Sequence, residues 1–413
     1  MKALTWQGKR DVRVESVPDP VIQEPTDAIV RITSTNICGS DLHLYEVLGR
    51  YLKPGDILGH EAMGIVEEVG REASNHIAPG DRVVIPCSIA CGHCWMCQHN
   101  LYAQCETTQD REHGKGASQF GCTKLYGQVP GGQAEFLRVP QAQFGPIKVP
   151  PGPPDDCFVY LSDILPAAWQ AVRYADIPEG GIAVVYGLGP LGQFSSRIAK
   201  IMGATRVFGV DLVPDRLEMA RRHGIDVVNA AEIDDVPAYI LDHADGRGAH
   251  GVIDAVGMEA QGNPVTKLGQ TLASKLPGAF GERVAETIAM DRLHALISSI
   301  RTVRRGGTVS VSGTYVGAID PLPMMEMFDK GIQLRMGHCH VKRWIDEIMP
   351  HLEDSSDPLG VQDMASHYLP IDQAPQAYRL FQKKADGCIK VILQPGRTEA
   401  EIVRGGRGAK QDA

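Results

Sequence analysis

Tyr186-Gly187-Leu188-Gly189-Pro190-Leu191-Gly192 is the stretch that decides the fold. It is a G-x-G-x-x-G sequence set between two different rhythms. Before it, Ile182-Ala183-Val184-Val185-Tyr186 is a short apolar run of the kind a buried parallel strand shows. After it, Leu191 to Met202 is helical in pattern and stops at Gly203, a residue suited to closing a helix. Strand, glycine turn and helix together make a dinucleotide fingerprint. The glycines allow a tight turn, close approach of backbone to pyrophosphate, and helix–strand packing, and the helix N-terminus attracts phosphate. Asp211 ends the next apolar run, nineteen residues past Gly192. A carboxylate there would bind the ribose hydroxyls of NAD and repel the 2′-phosphate of NADP. Arg216, early in the following helical segment, joins Gly187, Gly189, Pro190, Leu191, Gly192 and Asp211 as an expected cofactor contact.

Outward from this loop the alternation continues. Arg206-Val207-Phe208-Gly209-Val210, Asp226-Val227-Val228, Gly251-Val252-Ile253-Asp254 and Gly307-Thr308-Val309-Ser310-Val311 read as strands, and Asp215 to His223 as a helix. This is an α/β pattern with a doubly wound parallel sheet. Upstream, Ile29–Ile32, Gly64–Val69 and Arg82–Pro86 are short β-rich runs between Gly and Pro, which suggests a barrel-like or sandwich β domain. Residues 258–290, rich in Gly, Pro and small or polar side chains, look like an inserted loop. The tail 396–413, with Gly405-Gly406 and many charges, is expected to be disordered.

The chain has 413 residues, with 41 Lys and Arg against 50 Asp and Glu, for a net charge of −9. That length suits two domains rather than one core. The acidic balance argues against nucleic acid or an anionic membrane as main partner. No run of about 18 apolar residues is present, which excludes a spanning helix, and no signal-like segment follows Met1. A cytoplasmic location is therefore expected. Ten cysteines are odd in a reducing compartment, where disulfides do not persist, so metal binding is the first thing to test.

Cys91-x2-Cys94-x2-Cys97-x7-Cys105 places four thiols within fifteen residues. Zinc prefers tetrahedral thiolate coordination, and a closed set of four cysteines is a structural site. Thiolates also hold iron–sulfur clusters, but nothing else here supplies the redox role such a cluster needs. A zinc-ribbon nucleic-acid module would carry a basic and aromatic patch, which this acidic chain lacks. A second constellation is more open: Cys38 in Asn36-Ile37-Cys38-Gly39-Ser40-Asp41-Leu42-His43, and His60 with Glu61 in Gly59-His60-Glu61. Thiolate and imidazole suit zinc, and a catalytic zinc keeps three protein ligands and one open position, so a third ligand is needed. Taken singly, a cysteine is usually a small buried hydrophobe and a histidine a hydrogen-bonded core or surface residue.

With these sets in view, the chain resembles the zinc-dependent medium-chain alcohol dehydrogenases over nearly its whole length. The order matches: Cys-Gly-Ser-Asp-x-x-His, Gly-His-Glu, the four-cysteine lobe, then the Rossmann fingerprint. The resemblance implies a GroES-like β-rich catalytic domain over 1–164 and 338–395, and a Rossmann NAD-binding domain over 165–337. The active site would lie in the cleft between them. It makes Cys38 and His60 catalytic zinc ligands, Glu61 a nearby carboxylate, and Ser40 and His43 a proton relay. Cys91, Cys94, Cys97 and Cys105 hold the structural zinc, giving two zinc ions per chain. The third catalytic ligand is usually a cysteine just before the cofactor domain. Here the segment is Leu161-Ser162-Asp163-Ile164-Leu165-Pro166, which resembles the glutathione-independent formaldehyde dehydrogenase/dismutase branch, where an aspartate fills the position. Asp163 is assigned to it, with Cys157 as competitor. That branch also carries an insertion, similar to 258–290, which covers and retains NAD. The family's threonine four residues past the third ligand is Ala167 here.

The expected activity is hydride transfer between a primary alcohol or aldehyde hydrate, formaldehyde-like, and NAD. A polyol or threonine-type secondary alcohol dehydrogenase is the runner-up, and a non-catalytic zinc-stabilised binding protein the rival from another class. The partners implied are a small-molecule substrate and other copies of the chain, as a dimer or tetramer. Cys87, Cys122, Cys157, Cys339 and Cys388 keep the default of small hydrophobes.

Overall fold

Residues 182–186, the apolar run ahead of the glycine loop, form the central strand of a six-stranded parallel sheet. The computed structural model describes residues 1–257, 293–315 and 322–404. It divides into a unit of Ala168–His338 and one of Met1–Ala167 with Cys339–Ala413. In the first unit the strands are, in spatial order, Asp226–Asn229, Arg206–Asp211, Ile182–Tyr186, Ala249–Asp254, Val303–Val311 and Gln333–Met336. Numbered along the chain this is 3-2-1-4-5-6, the order of a dinucleotide-binding sheet. The expected α/β doubly wound sheet is thus present. The strands are runs of β-branched residues because helices cover them: Val184, Val252 and Val309 are buried in one cluster with Leu296 and Ile300 from the helix His294–Thr302.

The second unit is β-rich. A seven-stranded sheet is built around Ala28–Ile37, which pairs antiparallel with Ala62–Val69, Phe136–Val139 and Val391–Gln394. Arg82–Ile85 lies beyond Ala62–Val69, again antiparallel. Ala28, Val30 and Ile32 pack in one apolar cluster and Ile37 in another, so this central strand is covered at both levels. The register brings the end of Ala28–Ile37, the start of Ala62–Val69, the end of Arg82–Ile85 and the start of Val391–Gln394 to one rim. The residues just outside these strands are therefore Cys38, Glu61, Pro86 and Lys390. Among the described residues, no helix is long and apolar enough to cross a membrane.

One expectation is corrected. The tail does not become irregular at Gly396: Glu399–Arg404 is a helix. Thr398 donates its N–H and hydroxyl to the Glu401 carboxylate at 2.7 and 2.8 Å, capping the first turn, and Ile402 is buried. Charge content suggested disorder, but one buried isoleucine and a cap outweigh it. Residues 405–413 and the proposed insertion 258–290 lie outside the described residues.

Candidate metal centres and cofactor loop

The four-cysteine lobe closes within one short segment. Gly92 has φ of +81°, and a Cβ there would meet the Phe144 ring at 2.5 Å, so only glycine makes this turn. The turn folds Cys91, Cys94, Cys97 and Cys105 together, with all four sulfurs within 4.8 Å of one another. Cys91 and Cys97 are 4.0 Å apart, and Cys94 and Cys105 3.9 Å. Thiolates in tetrahedral array about 2.3 Å from zinc would be ~3.8 Å apart. The backbone N–H groups of His93 and Cys94 and the Thr107 hydroxyl all donate to Cys91 Sγ, at 3.4, 3.3 and 3.1 Å. Although burial works to raise Cys94, N–H donors from Cys97 and Glu106 hold its thiol down at about 6. The donor set suits a closed zinc site.

The second site is assembled from distant segments. Cys38 follows the central strand and is the N-cap of the helix Gly39–Glu46. Asp41 closes back on it, its Oδ2 accepting the Cys38 N–H at 3.0 Å, as an acidic residue in a first helical turn does. The same Oδ2 accepts from Gln133 Nε2 at 3.1 Å, and Gln133 is fixed in turn by the Tyr378 hydroxyl. Asp41 Oδ1 lies 3.1 Å from His60 Nδ1. Held this way, His60 presents Nε2 toward Asp163 Oδ2 at 3.4 Å and Ser40 Oγ at 3.2 Å. Cys38 Sγ is 4.0 Å from Asp163 Oδ2. Nitrogen and oxygen ligands about 2.0–2.1 Å from zinc in tetrahedral array would be ~3.4 Å apart. Donor atoms of Cys38, His60, Glu61 and Asp163 all lie within 4.8 Å of one another, and Cys157, buried in the helix Asp155–Phe158, is not in that group.

Electrostatics at this site call for a cation. Burial and then the Glu61 charge push the Cys38 thiol up. Burial would pull the His60 imidazole down, but Asp41 and Asp163 hold it well above its ordinary value. A divalent ion would take the place of that proton and stabilise the thiolate. Glu61 is fully buried, and both its oxygens are engaged: Oε1 with Lys390 Nζ at 2.7 Å and Oε2 with Asn36 Nδ2 at 2.7 Å. Lys390 is also fully buried. Burial works against its charge, yet Glu61 and Cys38 raise it above its ordinary value. His43 lies one turn beyond Ser40 on the same helix, partly exposed.

Three residues here went unassigned in the sequence. Asp41 had a signal, because it stands three residues past Cys38 at a helix start. Lys390 had none, being 329 residues from Glu61. Cys87 was expected to be an ordinary hydrophobe, but its Sγ lies 3.4 Å from Asp163 Oδ1. The reason is tertiary: the Cys87 N–H donates to the Ser162 carbonyl at 2.8 Å, which ties the two segments together. Burial and the Asp163 charge push this thiol well up.

The glycine loop is built as its residues require. Gly187 has φ of +86°, and a Cβ on Gly192 would sit 1.7 Å from the Gly187 carbonyl oxygen. Pro190 and Leu191 open the helix Pro190–Ile201, capped by Gly189. Asp211 accepts from the N–H groups of Leu188, Leu212 and Val213 at 2.6, 2.6 and 2.9 Å. Arg216 Nη1 is 3.8 Å from Asp211 Oδ2, and a Cβ on Gly189 would be 3.6 Å from the same Nη1.

Comparison with known proteins gives the family. The family model of the alcohol dehydrogenase GroES-like domain matches residues 24–150, and that of zinc-binding dehydrogenases matches residues 190–268. An uncharacterized zinc-type alcohol dehydrogenase-like protein, AdhB of Bacillus subtilis, is 36% identical over 96% of this chain and 100% of its own length. Formaldehyde dismutase of Pseudomonas putida is 30% identical over 95% of this chain and 97% of its own. The solved structure of alcohol dehydrogenase TADH from Thermus sp. ATN1 superposes with a TM-score of 0.77 at 31% identity, covering 96% of this chain and 100% of that one.

Proposed function

The chain belongs to the zinc-type alcohol dehydrogenase family, a family of alcohol oxidoreductases, and on that footing we propose that it transfers a hydride between a primary alcohol or aldehyde hydrate and NAD. The observation that carries this reading is the convergence of Cys38 Sγ, His60 Nε2 and Asp163 Oδ2 beside the Ser40 hydroxyl. In this reading those three residues hold the catalytic zinc, and Cys91, Cys94, Cys97 and Cys105 a structural one. Bound zinc supplies Lewis acidity that lowers the pKa of a substrate hydroxyl, and the nicotinamide supplies the hydride acceptor.

The protein's own part is to hold and to move a proton. Asp41 fixes the His60 ring through Nδ1, which leaves Nε2 for the metal. Ser40 Oγ takes the substrate proton and passes it toward His43, one helical turn on and partly exposed. Glu61, anchored by Lys390 and Asn36, keeps a buried carboxylate beside the ligands. At the glycine loop the amides opening the helix at Pro190 bind pyrophosphate, and Asp211 accepts from the ribose hydroxyls. The likeness to formaldehyde dismutase makes formaldehyde the first substrate to try.

A substrate panel tests this. Formaldehyde, primary alcohols, polyols and threonine are offered with NAD or NADP, following nicotinamide absorbance and zinc content. Turnover of formaldehyde or primary alcohols with NAD, at two zinc ions per chain, is expected. Turnover confined to secondary alcohols would select the polyol reading, and a single zinc without turnover the binding-protein reading.

A further inference from the structure

We infer that the Cys87 thiol is the positioning group of the Asp163 ligand, turning its carboxylate so that one oxygen alone faces the metal. This rests on the reading of Cys38, His60 and Asp163 as zinc ligands. The two oxygens of Asp163 have different surroundings. Oδ2 lies 3.4 Å from His60 Nε2 and 4.0 Å from Cys38 Sγ, where both other ligands converge. Oδ1 lies 3.4 Å from Cys87 Sγ, which donates to it. A carboxylate with one oxygen engaged by a thiol S–H presents the other as a single ligand atom, which keeps a coordination position open for substrate.

The backbone enforces the contact. Cys87 follows the strand Arg82–Ile85, and its N–H donates to the carbonyl of Ser162, the residue just before Asp163, at 2.8 Å. The donor is thereby locked to the segment whose side chain it orients. The sulfur at this spot reaches Oδ1 directly, at 3.4 Å. A carboxylate held on one oxygen by a partner this close loses the freedom to swing into bidentate binding. Outer partners of this kind affect metal affinity by roughly 10–100-fold.

The test uses the holoenzyme and its Cys87→Ala and Cys87→Ser variants. Zinc release to a chromophoric chelator is timed, and the visible spectrum of cobalt substituted at the open site is recorded. Cys87→Ala should release the open-site zinc about 10–100-fold faster and shift the cobalt bands. Cys87→Ser, which keeps a donor, should restore both toward wild type. The four-cysteine zinc should be unmoved in either variant, which reports that the fold is intact. Unchanged release and spectrum in Cys87→Ala, with two zinc ions in the wild type, would overturn this inference alone. Loss of a thiolate-to-cobalt charge-transfer band in Cys87→Ala would also overturn it, because Cys87 would then be a ligand. A wild-type chain with a single zinc would overturn the ligand reading and this inference together.

Discussion

The two candidate metal centres are built on opposite principles. The four-cysteine lobe draws every ligand from fifteen consecutive residues, Cys91 to Cys105, and supports them with local N–H groups and the Thr107 hydroxyl among others. The second centre draws on Cys38, His60 and Asp163, with Asp41, Cys87 and Lys390 behind them, from four strand ends and two helices. A closed set of like ligands needs only a tight turn. An open site needs each ligand oriented separately, because a vacant position leaves the remaining ligands less mutually constrained. Hence the open site is oriented by buried side chains from distant segments, and the lobe mainly by backbone N–H groups of its own segment.

The strongest way to break this comparison is to remove one ligand from each centre. Cys38→Ala should lower turnover by at least about 10³-fold, since Lewis acidity contributes several kcal/mol to the transition state. It should leave one zinc per chain and a melting temperature near wild type. Cys94→Ala should do the reverse, lowering the melting temperature while retaining the open-site zinc. Equal activity loss in both would show that the lobe is not merely structural.

Next in size is the buried pair behind the open site. Lys390→Met leaves the Glu61 carboxylate buried without its cation and should cost about 3–5 kcal/mol in denaturant unfolding. The double variant Lys390→Met/Glu61→Gln should recover much of that. If the single variant unfolds like wild type, the pair is not what holds the rim together.

Smaller effects sharpen the contrast between shells. Asp41→Asn should weaken open-site zinc by roughly 10–100-fold in a chelator competition, through loss of the His60 Nδ1 partner. Thr107→Val removes one hydroxyl from Cys91 Sγ and should cost only about 1 kcal/mol in thermal unfolding. Should Thr107→Val cost the lobe its zinc, the lobe is not held mainly by its own backbone N–H groups.

How legible the molecule was in its sequence follows the same division. The strand at 182–186, the glycine turn and the helix opened at Pro190 were readable, because each is specified by neighbours a few residues away. So was the cysteine lobe. The tail was misjudged at Glu399–Arg404, where composition spoke for disorder and a single buried Ile402 decided otherwise. Asp41 could have been found from helix capping. Lys390 could not, since a lone lysine in a sequence reads as solvent-exposed, and only strand pairing between Val391–Gln394 and Ala28–Ile37 sets it against Glu61.

The amino-acid order thus specified the nucleotide loop, the doubly wound sheet and the closed metal lobe, all encoded in short-range spacing of glycine, cysteine and β-branched residues. Tertiary structure alone decided which cysteine touches Asp163, which oxygen of that carboxylate faces His60, and which charge balances Glu61. Those choices depend on strand register across up to 329 residues of chain, and on burial that makes an unpaired charge too costly to leave unmatched.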